Sequence, residues 1–461
     1  MSVRSRLACA AADLATWASQ KSGRGAGGMI GGLVAGVIDP NLLKQLGQDR
    51  PTAIVTGTNG KSTTTRMLTG ALQSRFAVAT NEGGDNMDAG VISALLAGRD
   101  REVIALEVDE LHVPAIAEKL DANLLILLNL TRDQLDRVGE INKIERALRQ
   151  CVESRPDMTV IANCDDVQVT SVAWDAPNVV WASAGAGFVG DSTSCPRTGG
   201  HIVREPAGSG DAGDNAAGDW YAVKPLPDGR TFRRPTPDWI ITDEGLTVPG
   251  RADVLPMNLN LPGTANRGNA AQAIAAAVAM GVPVEEALAA AEQVADVAGR
   301  YSSLNYKGRT LRLMLAKNPA GWQEALSMID RTADSVIIAV NGQVADGQDL
   351  SWLWDVKFEN FEDQQVIATG ERGTDLAVRL GYASVGHKLV KDTVDAVLAC
   401  PPGRVEVLAN YTAFRDLKRE LERQGATIAD ADAADTEPTA DAADNTDSEG
   451  TESVSYTHLT L

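Results

Sequence analysis

Thr52-Ala53-Ile54-Val55-Thr56 runs directly into Gly57-Thr58-Asn59-Gly60-Lys61-Ser62, and this junction limits what the chain can fold into more than any other segment. A short apolar run ending in two glycines and a lysine predicts a buried strand, a tight turn and a helix that starts near Ser62. That order aims backbone N–H groups and the positive end of the helix at one point, which suits a phosphate. Lys61 can neutralise phosphate charge and Ser62 can hold Mg²⁺. Gly57, Thr58, Asn59, Gly60, Lys61, Ser62 and Thr63 are therefore the expected nucleotide-binding residues. The general form of such a loop carries glycine five residues before Gly60, and that position here is Val55.

Further apolar runs, at Val103 to Leu106, Leu124 to Leu130 and Thr159 to Ile161, alternate with helical segments. Continuous apolar strands between helices signal a parallel sheet covered on both faces, so the fold class is α/β. A second set follows at Leu311 to Leu315, Val336 to Val340, Val366 to Ala368 and Val405 to Leu408. A chain of 461 residues exceeds one ordinary core. The expected organisation is a lead segment at 1–50, a central domain at 51–298, a smaller α/β domain at 299–425 and an acidic, disordered tail at 426–461. A polar, glycine-rich insertion at about 184–253 interrupts the central domain.

The formal charge of −20 disfavours nucleic acid and anionic lipid as partners of the surface as a whole. Nine of the acids lie between Ala429 and Glu452 with no Lys or Arg among them, so the folded part is only moderately acidic. The closing Ser453 to Leu461 departs from that composition and is assigned no function. Five cysteines at irregular spacing form no disulfide framework, which points to a reducing, cytoplasmic setting. Arg4 and Arg6 before Leu7 hint at a signal peptide, but Asp13 interrupts the apolar stretch. No apolar run approaches the roughly 18 residues of a membrane span.

The loop Gly57 to Thr64 resembles that of the Mur ligases, ATP-dependent amide-bond-forming enzymes, and later segments agree in order and spacing. Glu107 stands where the family places a Mg²⁺-binding glutamate. Asn129 to Asp136 is similar to its Asn…Asp-His-Leu-Asp segment, with Gln134 in place of His. Asn163-Cys164-Asp165-Asp166 matches an Asn-x-Asp-Asp turn. Gly263, Asn266, Asn269 and Ala270 match a segment near the nucleotide, and Gly299-Arg300 the domain hinge. The resemblance implies ATP and Mg²⁺ as cofactors and a parallel-sheet ATPase domain with a phosphate loop. It implies phosphoryl transfer to a carboxylate, then attack by an amine or ammonia. Other members carry a carbamylated Lys one helix beyond the Asp-His-Leu-Asp segment, where this chain reads Ala147-Leu148-Arg149-Gln150, so its magnesium site must differ from theirs.

Within that family Leu315 to Trp322, Asp346 to Asp355, Asn410 to Ala413 and the early Ile38 to Leu43 resemble the MurT subunits of lipid II isoglutaminyl synthase. On its residues alone Trp352-Leu353-Trp354 reads equally as a core strand with polar flanks. The resemblance implies a heterodimer with a GatD-type glutaminase that releases ammonia. The amidated group would be the α-carboxylate of D-glutamate in the lipid II stem peptide, at the inner membrane face. It also implies an Asp that completes the glutaminase's Cys-His pair, with Asp349 and Asp355 as candidates and Lys61 as the catalytic residue of the ATPase site. The family's four-Cys zinc ribbon is reduced to Cys195, since Thr198 replaces its neighbour and the second half holds no Cys. One thiolate cannot hold a tetrahedral zinc, so that site is expected to be lost and the insertion looser. Two other functions compete: a folylpolyglutamate-synthase-like ligase, and a non-catalytic ATP-binding scaffold for an amidotransferase.

Overall fold

The apolar runs become strands, and the helices between them close over both faces of each sheet. The computed structural model describes residues 2–21, 29–81, 85–132, 140–185, 189–205, 218–294, 301–347, 349–359, 361 and 364–429. In chain order, α1 (Val3–Lys21), α2 (Ile30–Ile38) and α3 (Leu42–Gly47) precede β1 (Thr52–Thr56), α4 (Lys61–Gln73), β2 (Val78–Thr80) and α5 (Asp88–Ala97). Then come β3 (Val103–Glu107), α6 (Val113–Leu120), β4 (Leu124–Leu127), α7 (Glu140–Glu153), β5 (Thr159–Asn163), α8 (Val167–Ala173) and β6 (Val179–Ser183). A hairpin of β7 (Ile202–Arg204) and β8 (Trp220–Ala222) stands apart. The domain ends with β9 (Trp239–Thr242), β10 (Gly245–Thr247), β11 (Val254–Leu255), α9 (Thr264–Ala279) and α10 (Val284–Glu292).

Among the described residues the first sheet has the order β11-β10-β9-β6-β5-β4-β1-β3-β2. From β2 to β9 the pairs are parallel, and β10 and β11 add an antiparallel edge. All five residues of β1 are buried. The two-residue side-chain period sends Ile54 to the cluster under α3 and α6, and Ala53 and Val55 to the opposite cluster under α4 and α9.

Three expectations change here. The segment 1–50 is no lead-in: Ala8, Ala12, Ala35, Leu42 and Leu46 belong to the first domain's core, and α2 packs on α1 and α5. The insertion is narrower than 184–253, because β9, β10 and β11 belong to the main sheet. The fold also runs past 425, since Thr427–Ile428 pairs with the second sheet. Residues 430–461, the rest of the expected tail, lie outside the described residues.

The second domain runs β12 (Tyr301–Tyr306), β13 (Arg309–Leu315), α11 (Pro319–Ser327), β14 (Ser335–Ala339), β15 (Gln365–Thr369), α12 (Gly373–Tyr382), β16 (His387–Leu389), α13 (Thr393–Ala399), β17 (Gly403–Ala409), α14 (Tyr411–Arg423) and β18 (Thr427–Ile428). Its sheet order is β16-β15-β14-β17-β13-β12-β18, parallel from β16 to β13. Trp352-Leu353-Trp354 forms a 3-10 turn and not a strand. Trp352 stacks on the buried Trp322 at 5.4 Å, while Trp354 meets Tyr382 edge-on at the surface.

Candidate active site

β1 sits between β3 and β4, and the chain leaves it toward both sides, so a crevice opens beyond its carboxyl end. The glycine-rich loop lies at that end. Gly57 and Gly60 hold φ of +139° and +87°, backbone that a side chain disfavours. A Cβ on Gly57 would stand 2.9 Å from the Asn129 carbonyl oxygen, and one on Gly60 2.5 Å from Asn269 Oδ1. The segment after β4 sets the loop's shape. Asn129 Oδ1 accepts the Asn59 N–H at 2.9 Å and its amide donates to the Asn59 carbonyl at 3.0 Å. Thr58 and Thr131 bond each other twice.

Gly60 caps α4, so Lys61 and Ser62 occupy its first turn. The Lys61 ammonium donates to the Gly57 carbonyl at 2.5 Å and lies 3.5 Å from Glu110 Oε1. Strand register puts Glu107 opposite Val55, at the mouth of the loop. Asn81 bonds the Glu107 backbone on both sides, at 2.9 and 2.7 Å, and the Asn86 amide reaches Glu107 Oε1 at 3.2 Å. A buried carboxylate oriented in this way suits a cation. Glu110, Asn81 and Asn86 were missed in the sequence, where no motif marks them.

α9 brings Asn266 and Asn269 to the loop, with Asn269 against Gly60 and Asn266 donating to the Pro262 carbonyl at 2.6 Å. The second domain leans on the same place. Asn318, which caps α11 by accepting the Gly321 N–H at 2.9 Å, exchanges side-chain bonds with Asn59 at 3.3 and 3.4 Å. Arg132 reaches both Asp191 and, at 3.1 Å, Asp355. Asp349 is exposed; the Ser351 N–H, at 2.8 Å, and hydroxyl hold its carboxyl below the usual range. Arg300 and the segment Asp133 to Asp136 lie outside the described residues.

The Asn163-Cys164-Asp165-Asp166 turn works as a lock. Asp166 caps α8 and accepts the Leu130 N–H at 3.0 Å, and Asp165 binds Arg234 at 2.7 Å. Where a looser insertion was expected, Cys195, Ile202, Trp220, Leu226 and Phe232 form one buried cluster with Trp174 packed against it. Cys195 and Leu226 each open a tight turn, closed four residues on by the Gly199 N–H to the Cys195 carbonyl and three residues on by the Gly229 N–H to the Leu226 carbonyl. Burying these large side chains contributes on the order of 10 kcal/mol before entropy, comparable to what a structural zinc supplies.

A glycine-rich loop at a switch point, an oriented acid beside it and an α/β domain leaning over both have the layout of a Mur-type ligase. Sequence comparison agrees: the Mur ligase middle domain matches residues 55–187, and the MurT ligase C-terminal domain matches residues 315–414. The lipid II isoglutaminyl synthase (glutamine-hydrolyzing) subunit MurT of Streptococcus pneumoniae is 26% identical over 86% of this chain and 93% of its own length. The Staphylococcus aureus protein of the same name is 25% identical over 89% and 96%. In fold, a pseudomurein peptide ligase type C from Methanothermus fervidus superposes with a TM-score of 0.64 at 17% identity, covering 84% of this chain and 81% of that one. The chain joins a Mur ligase middle domain to a C-terminal domain of the MurT ligase type.

Proposed function

We propose that this chain uses ATP to activate the α-carboxylate of D-glutamate in the lipid II stem peptide, so that ammonia from a GatD-type glutaminase subunit converts it to D-isoglutamine. The observation that carries the reading is the union in one chain of the Mur ATPase cradle with a C-terminal domain of the MurT type. The two MurT relatives, named for that synthase, match nearly their whole lengths.

The residues present fit a triphosphate. Two glycines leave room that a Cβ would fill, and Lys61 faces a carbonyl and a carboxylate that phosphate oxygens can replace. In this reading the loop N–H groups and Lys61 hold the phosphates, Asn269 and Asn266 border them, and Asn318 ties domain closure to the loop through Asn59. Ser62 and Glu107 would hold Mg²⁺. Mg²⁺ would neutralise charge on the transferring phosphoryl group. The carboxylate oxygen attacks the γ-phosphorus and ADP leaves. Ammonia then adds to the acyl carbon of the acyl phosphate and inorganic phosphate departs, leaving the amide.

Asp349 and Asp355 are the proposed partners of the glutaminase's Cys-His pair. The Asn variant of the acting residue should lose glutamine-driven turnover and keep ammonia-driven turnover. The whole reading is tested by mass spectrometry of lipid II incubated with the chain, ATP, Mg²⁺ and an ammonium salt. Amidation that requires ATP and intact Lys61 supports it. Unchanged lipid II with ATP consumed on folate acceptors replaces it with a folylpolyglutamate-type ligase, and no reaction on either points to a scaffold.

A further inference from the structure

α1 turns Ala8, Ala12 and Ser5 inward and leaves an apolar stripe outward: Val3, Leu7, Leu14 and Trp17, at 76, 63, 65 and 56% exposure. The spacing is four and seven and three, which keeps these side chains on one face of a helix. α2 lies alongside and adds Leu33 and Val37, at 60 and 76%. The inner side of α2 is fully used. A Cβ on Gly31 would stand 2.3 Å from Thr16 Oγ1, and one on Gly32 1.8 Å from the Ala89 carbonyl oxygen, so α2 is clamped between α1 and α5 with Leu33 and Val37 left outside. Six large apolar residues on two adjoining helices form a patch of the kind that marks an interaction surface.

Charge selects the occupant. The chain carries −20 overall, yet the exposed charges of α1 are Arg4, Arg6, Lys21 and a single acid, Asp13, which is paired with Arg99. Arg4 and Arg6 flank the stripe on either side, and Lys21 continues it, its ammonium 4.9 Å over the Trp17 ring. Apolar side chains bordered by cations, with a tryptophan among them, match the boundary of an anionic bilayer. Neither helix could cross one.

We propose that the α1–α2 face docks this enzyme on the anionic surface of a membrane, lying in the interface without spanning it. The choice of a membrane over a protein partner rests in part on the lipid-borne substrate of the reading above. Docking would confine the chain to the plane in which a lipid-anchored stem peptide diffuses. It reconciles a repulsive net charge with a local attractive one.

The test is co-sedimentation of the full chain with vesicles of phosphatidylglycerol and phosphatidylcholine that contain no lipid II, so the outcome is independent of the amidation chemistry. Binding should need phosphatidylglycerol and weaken with salt. Arg6→Gln with Lys21→Gln should weaken it about 25-fold, and Leu14→Gln with Leu33→Gln about tenfold or more. These residues are exposed, so unfolding temperature and amidation of detergent-dispersed lipid II should stay unchanged. No binding to anionic vesicles, or binding indifferent to both pairs of substitutions, overturns the proposal. So does a concentration-dependent self-association that the Leu variants abolish, which would make this face a protein interface. Loss of amidation in the unmodified chain with vesicle binding intact would sink the substrate reading and leave the docking face standing.

Discussion

Gly60→Ala probes the cradle where backbone and packing constraints coincide. The residue holds φ +87°, and forcing alanine into that region costs about 1–2 kcal/mol. Its Cβ would stand 2.5 Å from Asn269 Oδ1, so Asn269 must rotate away and forfeit its 3.4 Å contact with Asn266, about 1 kcal/mol more. The total of about 2–3 kcal/mol appears in one of two places. If the loop holds its shape, the protein unfolds more easily; if it relaxes, MgATP affinity drops about 30- to 150-fold. Calorimetric titration with a non-hydrolysable ATP analogue, paired with urea unfolding of the free protein, measures both. Adding Asn269→Ala removes the clash and keeps the strain, so the double variant should unfold less easily than Gly60→Ala alone. If Gly60→Ala binds nucleotide within twofold of the parent and unfolds at the same urea concentration, the strained-cradle argument is wrong.

Glu107→Gln should lower turnover at least about 100-fold and raise the Mg²⁺ requirement, as loss of one preorganised stabiliser near a transferring phosphoryl costs ~2.7–4 kcal/mol; steady-state kinetics against Mg²⁺ will tell. Arg312→Met strands the buried Glu406, whose carboxyl burial already pushes up, and should cost about 3–5 kcal/mol in urea unfolding, with Glu406→Leu restoring most of it. Burial pushes Asp166 up to about 6 from 3.8, although Leu130, Gln168 and Val169 donate to it. Between those values the folded chain keeps a proton that the unfolded chain has lost, so stability should fall as pH rises through that window. Asp166→Asn should flatten that slope in thermal melts taken from pH 4 to 6.

The parts of the fold legible in the sequence are those governed by local pattern. Val103 to Leu106 and Val336 to Val340 read as strands because sheets covered on both faces leave no polar alternation. Gly57 to Ser62 read as a tight turn into a helix because the glycines and the helical pattern after them are local signals. The contacts made by chain folding were hidden. Gly31 and Gly32 fall within the part of the chain read as a lead segment, yet their lack of a side chain permits close packing of α2. Trp220 and Phe232 are far from Val167 in sequence, so the cluster that holds the insertion left no periodic trace. Asn318 was legible as part of a family segment, but its bond to Asn59, 259 residues away, required the domain arrangement. Glu110 lies three residues from Glu107 without a motif of its own, and the fold alone brings it to Lys61.

The central claim is activation of a carboxylate by γ-phosphoryl transfer in the Lys61 cradle. Lipid II labelled with ¹⁸O in the α-carboxylate of D-glutamate, incubated with the chain, ATP, Mg²⁺ and ammonium, tests it directly. ADP should form together with inorganic phosphate carrying one ¹⁸O for each amide, and Lys61→Ala should yield none. Label found in AMP, or an amide formed with unlabelled phosphate, would contradict it.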